Sequence, residues 1–189
     1  MLLTLAAGTS PAAAQSPSLT ASGALRALGL DVDVTEYRFP VSGWSPQDAV
    51  SRLSFNGPMG LNGERAHGLT SFHLQTRWIP VRQTNGCVAQ RVRVTATVRI
   101  YMPFWTGLDD ATGDERARWR AFEIPLRRHE YTHRDITLQT ATELALSIRA
   151  AHASNCPRLV RVVTGIMNRA RASLERENAE LDAKLRRRP

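Results

Sequence analysis

Lysine is almost missing from this chain. Lys184 is the only one, so the positive charge rests on arginine, and 25 basic residues against 17 acidic ones give a formal net charge of +8. A dense basic face would mark a nucleic-acid binder. Here the arginines are scattered over strands and helices, and the longest run is Arg186-Arg187-Arg188 at the C-terminus. Nucleic acid is therefore not the expected partner. A surface facing anionic cell-envelope polymers, or plain codon bias, accounts for the charge. Beyond the N-terminus no stretch approaches the roughly 20 apolar residues of a membrane span. Cysteine is scarce too: Cys87 and Cys156 stand alone, without the CxxC spacing of a cysteine metal site. An even pair fits one disulfide in an oxidising compartment, closing a loop of about 70 residues worth roughly 4 kcal/mol. Two buried free thiols in a cytosolic protein are the alternative.

No Lys or Arg precedes Arg26. Residues 2–14 nevertheless run from an apolar stretch into Ala12-Ala13-Ala14, an A-x-A-like cleavage site before Gln15. A start codon placed too far downstream would explain the missing positive n-region; a disordered Ala/Ser-rich tail is the alternative. Residues 1–22 are set apart as a signal peptide or disordered leader, and 23–189 are expected to form one domain, periplasmic or secreted. With 42% hydrophobic and 22% charged residues, that domain is ordinary globular material of a length suited to one core.

The chain then divides into strands followed by long helices. Val34 to Val41 alternates with Tyr37, Phe39 and Val41 on one side and reads as a strand. Ser45-Pro46-Gln47-Asp48 is an N-cap serine with proline at the first helical position, opening a helix over about 46–54. Residues 56–68, with four glycines and a proline, form a loop. Residues 71–80 and 87–101 alternate as an antiparallel pair joined at Asn85-Gly86. Val88, Val92, Val94, Ala96, Val98 and Ile100 are on the buried face, and Arg91, Arg93, Thr95, Thr97 and Arg99 on the wet one. Thr112-Gly113-Asp114-Glu115 is a capping box. Pro125 should kink or restart the helix that follows, and the helical pattern then runs from Leu126 to about Ser154. The last helix, from Arg158 to about Leu185, turns Leu159, Val162, Val163, Ile166, Ala170, Leu174, Leu181 and Leu185 inward. This predicts an α+β fold, a small antiparallel sheet against long C-terminal helices.

Within the long helix stands His129-Glu130-Tyr131-Thr132-His133. Residues four apart on a helix share one face about 6 Å apart, so the two imidazoles can reach one zinc ion, with Glu130 beside it as a general base. The histidines continue a stripe of Ile136, Thr140, Leu144, Ile148 and Ala151. The plainer alternative is a buried, satisfied histidine pair with Glu130 bound to Arg127, Arg128 or Arg134. A zinc site with two histidines needs a third protein ligand. His152 and Glu143, on the same predicted helix, fall roughly 28 and 15 Å away at 1.5 Å per residue. His73 lies on the wet strand face, and nothing fixes His67 in its loop. Folding the last two helices as a hairpin about residue 156 brings Glu177, Asn178, Glu180 and Asp182 beside His133. Asp182, next to inward Leu181, is the candidate third ligand, an exposed helix-end carboxylate paired with arginine being the alternative. Tyr131 points off the ligand face.

From Thr35 to Asp182 the order of these elements resembles the predicted secreted zinc-dependent proteases, a bacterial family catalogued as a domain of unknown function. The resemblance rests on an opening strand ending in glycine (Tyr37 to Gly43) with a short helix, the strand at Thr70–Trp78, and the Cys-led strand ending in an aromatic Pro segment (Cys87 to Trp105). It continues with the tryptophan-bearing helix, HEYTH, a second cysteine about 20 residues on, and a final helix. Relatives close on a Tyr-Asp…Thr-x-His-Gly type segment; here Asp182 remains and the tyrosine, threonine and histidine are absent. The resemblance implies a zincin-like domain that holds Zn2+ through His129 and His133, with Asp182 the third ligand the hairpin offers, and hydrolyses a protein or peptide substrate, with Glu130 moving the proton. The degenerate C-terminus leaves open a second reading, a non-catalytic periplasmic binding protein that retains the fold with a degenerate metal site.

Overall fold

The computed structural model describes residues 23, 25–60 and 63–186; the expected leader, 1–22, lies outside the described residues. Strand β1 (Leu30–Val41) is followed by helix α1 (Pro46–Asn56), strands β2 (Leu69–Gln83) and β3 (Gly86–Trp105), helix α2 (Gly113–Arg149), the short strand β4 (His152–Ala153) and helix α3 (Cys156–Arg186). The α+β class holds: a small sheet carries two long C-terminal helices.

The sheet is mixed, not antiparallel. Its order is β1-β3-β2, with β4 also on β3, and β1 runs parallel to β3. The hairpin fixes β2 antiparallel to β3. β1 is joined to β2 through α1 and a loop, a connection long enough to carry it over to the far side of β3. Nothing in its own alternation declares that partner. The hairpin loop is Thr84-Asn85, one residue earlier than the sequence suggests. Gly86 opens β3 at φ 138, where a Cβ would lie 2.3 Å from the Ala153 carbonyl oxygen.

The strand β3 is the centre of the core, with Val94, Ala96, Val98, Ile100 and Met102 fully buried. Its alternation breaks at a bulge. Arg77 pairs with Arg93 but Ile79 with Gln90, and Arg91 adopts φ 50. The extra residue shifts the phase, so Cys87 and Ala89 join the buried face in place of Val88. His73 and Arg77 remain on the exposed face, where Arg99 and Arg93 pair with Asp33 and Asp31 of β1.

Helix α2 is opened by the Thr112–Glu115 capping box and runs unbroken through Pro125. The ring removes one backbone bond, the one to the Ala121 carbonyl. Ala121 and Pro125 both face solvent, so water can take that acceptor and the helix continues. Its inner face buries Trp119, His133, Thr137, Thr140, Ala141, Leu144, Ala145 and Ile148, so Thr137 takes the innermost place that the sequence reading gave to Ile136. The helix ends at Arg149, short of Ser154, because the next residues are recruited by the sheet: Ala153 pairs with Cys87 and His152 with Val88. Val162, assigned inward from the sequence, is 37% exposed, while Leu159, Val163 and Leu174 are buried.

Cys87 and Cys156 form a disulfide, with Cα atoms 5.1 Å apart and a sequence separation of 69. It ties the start of β3 to the start of α3 across the β4 bridge. Reducing it should lower the unfolding free energy by about 4 kcal/mol. Urea titrations with and without reductant, and of a Cys87→Ala/Cys156→Ala protein, should both show a lower midpoint; an unchanged midpoint would refute the constraint.

Candidate metal centre

His129 and His133 project from one face of α2 with their rings edge to face, centroids 4.7 Å apart. Helix α3 returns antiparallel and lays Asp182 against both. Asp182 Oδ1 is 3.2 Å from His129 Nε2 and 3.0 Å from His133 Nε2, and the two Nε2 atoms are 3.1 Å apart. The three residues form a group able to hold a metal ion. An ion with tetrahedral bonds of about 2.0–2.1 Å separates its ligand atoms by about 3.3–3.4 Å. The observed triangle is within a few tenths of an ångström of that, so an ion would need almost no rearrangement. The histidine side chains are 11% and 9% exposed and that of Asp182 47%, so the group opens to solvent on the Asp182 side. Burial, reinforced by the neighbouring His133, holds His129 below the ordinary imidazole range against the pull of Asp182. That favours the neutral ring a metal requires.

Glu130 sits behind this triangle, only 4% exposed. The Thr70 hydroxyl donates to Glu130 Oε2 at 2.8 Å and also lies 3.1 Å from its backbone carbonyl. Gly68 completes the enclosure: a Cβ there would stand 3.0 Å from Glu130 Oε1, so the absence of a side chain leaves room for the carboxylate. Burial raises the Glu130 pKa, opposed by the Thr70 hydrogen bond and by His133.

Two of the arginines suspected of neutralising Glu130 are engaged elsewhere. Arg127 binds Glu36 at 2.7 Å and Glu123 at 3.2 Å, and Arg134 binds Asp135 at 2.7 Å. Tyr131 does point off the ligand face, donating to Glu36 at 2.8 Å with Arg134 over its ring. Of the other candidate ligands, His73 stays on the exposed strand face, and His67 packs edge-on against Phe122 at 5.8 Å. Glu143 accepts from Gln139. His152 is not on α2 at all; it lies in β4 beside Val88.

Two residues at the site carried no role in the sequence reading. Asn178 was placed near His133 by the hairpin, and its Oδ1 makes a short contact with His133 Nδ1 while its Nδ2 donates to the Leu174 carbonyl at 2.7 Å. Thr70 is at the start of β2, 60 positions from Glu130, and no local pattern links them.

The fold and the site thus define an α+β domain with a candidate metal centre at the mouth of a helix hairpin. Residues 36–187 match the family described as bacterial protein of unknown function (DUF922), and the chain belongs to that family. No curated protein matches the chain, and no solved structure does.

Replacing Thr70 by valine keeps the shape and removes the one hydroxyl donor to a buried carboxylate. The expected cost is about 1–3 kcal/mol, read as a lower denaturation midpoint. A Thr70→Ser protein, which keeps the donor, should lie close to wild type.

Proposed function

We propose that this protein is an exported zinc-dependent metallopeptidase. The observation that carries the reading is the convergence of His129 Nε2, His133 Nε2 and Asp182 Oδ1 to within 3.0–3.2 Å of one another, with a carboxylate, Glu130, on the residue next to one ligand. Two imidazoles and one carboxylate, one side open to solvent, are the donor set of a catalytic zinc site. Zinc bound there would supply a Lewis acid that polarises a carbonyl and makes water acidic near neutral pH. Glu130, made more basic by burial, takes a proton from the attacking water and returns it to the departing amine. Asp182, the most exposed of the three ligands, stands where a peptide substrate would enter. Export is supported by the Cys87–Cys156 disulfide, a bond of oxidising compartments. No described helix is long and apolar enough to cross a membrane.

A second reading is favoured by one observation. Glu130 is covered by Thr70 and Gly68, an arrangement that also suits a metal-holding periplasmic binding protein without hydrolytic activity. The two readings separate on one pair of measurements. Purified protein should contain about one zinc per chain, the stoichiometry of a single three-residue site. Glu130→Gln should keep the metal and lose roughly 100-fold or more of the rate on a peptide library, the scale of general acid–base catalysis. Zinc bound with no hydrolysis by wild type selects the second reading, and a protein that takes up no zinc overturns both.

A further inference from the structure

The two ligand histidines are not held alike. His133 is 7% exposed, and its second ring nitrogen, Nδ1, faces Asn178 Oδ1 in a short contact. Asn178 is itself 7% exposed and cannot turn over: its Nδ2 donates to the Leu174 carbonyl at 2.7 Å. Flipping the amide would set two acceptor oxygens against each other there. An amide oxygen only accepts, so the group that faces it must donate. We infer that Asn178 is a positioning residue that keeps the proton of neutral His133 on Nδ1 and so presents the bare Nε2 lone pair to the metal centre. The inference rests on the zinc reading for its use and on the Asn178 geometry for its existence.

This assignment changes what the triangle is. Asp182 Oδ1, as a carboxylate, is an acceptor. With the His133 proton on Nδ1, the 3.0 Å approach of His133 Nε2 to Asp182 Oδ1 is lone pair against lone pair. A cation relieves it, as does a proton held by His129 or by Asp182 itself. Asn178 thereby leaves the Nε2 side of neutral His133 without a proton of its own, so an ion can take that lone pair directly. The device is carried by α3 alone. Leu174 is one turn before Asn178, and Asp182 one turn after, so backbone acceptor, amide and carboxylate lie on one face of the helix. The same face therefore delivers a ligand and the group that prepares another ligand.

The test needs no substrate. In metal-free wild type, nitrogen-15 NMR of the imidazoles at mildly alkaline pH should show His133 protonated at Nδ1 and unprotonated at Nε2. A ring protonated at Nε2, or at both nitrogens, overturns the inference, whatever the protein does with zinc. In Asn178→Ala the His133 signals should shift toward the Nε2-protonated form, and zinc affinity measured by competition with a chelator should fall roughly 10–100-fold, the usual loss when a partner of a ligand histidine is removed. Asn178→Asp, which keeps an oxygen acceptor facing Nδ1, should restore most of that affinity. A merely structural role predicts neither the tautomer shift nor the rescue. Unchanged affinity and an unchanged tautomer in Asn178→Ala would refute the positioning role. A wild type with the Nδ1 proton in place but no zinc uptake would sink the metallopeptidase reading while leaving the tautomer assignment standing.

Discussion

The register between α2 and α3 decides which side chains meet at the candidate centre, because each residue advances a helix by about 100° and 1.5 Å. A slip of one residue in either helix would swing Asp182 off the face that His129 and His133 share. Two constraints at opposite ends of the hairpin oppose such a slip. At the turn, Cys156 is bonded to Cys87 and Ala153 is paired in the sheet, so the first residue of α3 is tied to β3. Some 22 positions further along, Asn178 grips His133 from within the interface. Between the two, Leu159, Val163 and Leu174 are buried and supply cohesion, which apolar packing gives without choosing a register as sharply as a directional polar contact does.

The sheet contributes to the site by a different route. β3 is filled on the helix-facing side by small or branched residues, from Val94 to Ile100, and α2 lies on them. Its neighbour β2 begins at Leu69, so Thr70 reaches the HEYTH turn as the strand enters. The side of that turn facing the histidine–aspartate triangle is therefore made by α3 and the opposite side by β2. Glu130 is pressed against β2, whereas His129 and His133 face Asp182 and Asn178 of α3. The bulge at Arg91 has its own consequence here: by shifting the phase of β3 it turns Cys87 inward, where the disulfide to α3 can form.

Much of this was legible in the sequence. The helix starts at Ser45 and Thr112 are written in local capping chemistry, and the β2–β3 pair is written in period-two alternation. The hairpin arithmetic that places Asp182 and Asn178 opposite His133 needs only a turn position and the rise per residue, and the structure brings those residues together. What could not be read depends on contacts remote in the chain. The parallel partner of β1 is set by where its connection lands. β4 is two residues with no strand pattern, existing because the disulfide and β3 hold them. Pro125 reads as a break, and passes because its lost bond faces water. Thr70 meets Glu130 through tertiary packing, so neither residue signals the other.

Charge balance links the buried glutamate to the open triangle. With both imidazoles neutral, two carboxylates, Asp182 in the triangle and Glu130 beside it, lie near one another, while Arg127 is spent on Glu36 and Glu123, and Arg134 on Asp135. A carboxylate removed from water without a cation is costly in its charged form, which is why burial pushes Glu130 toward protonation. The charges of Asp182 and Glu130 together would match one divalent ion, and such an ion would favour the ionised glutamate again. Arg127 and Arg134 thus spend their positive charge away from the place where a metal would supply it.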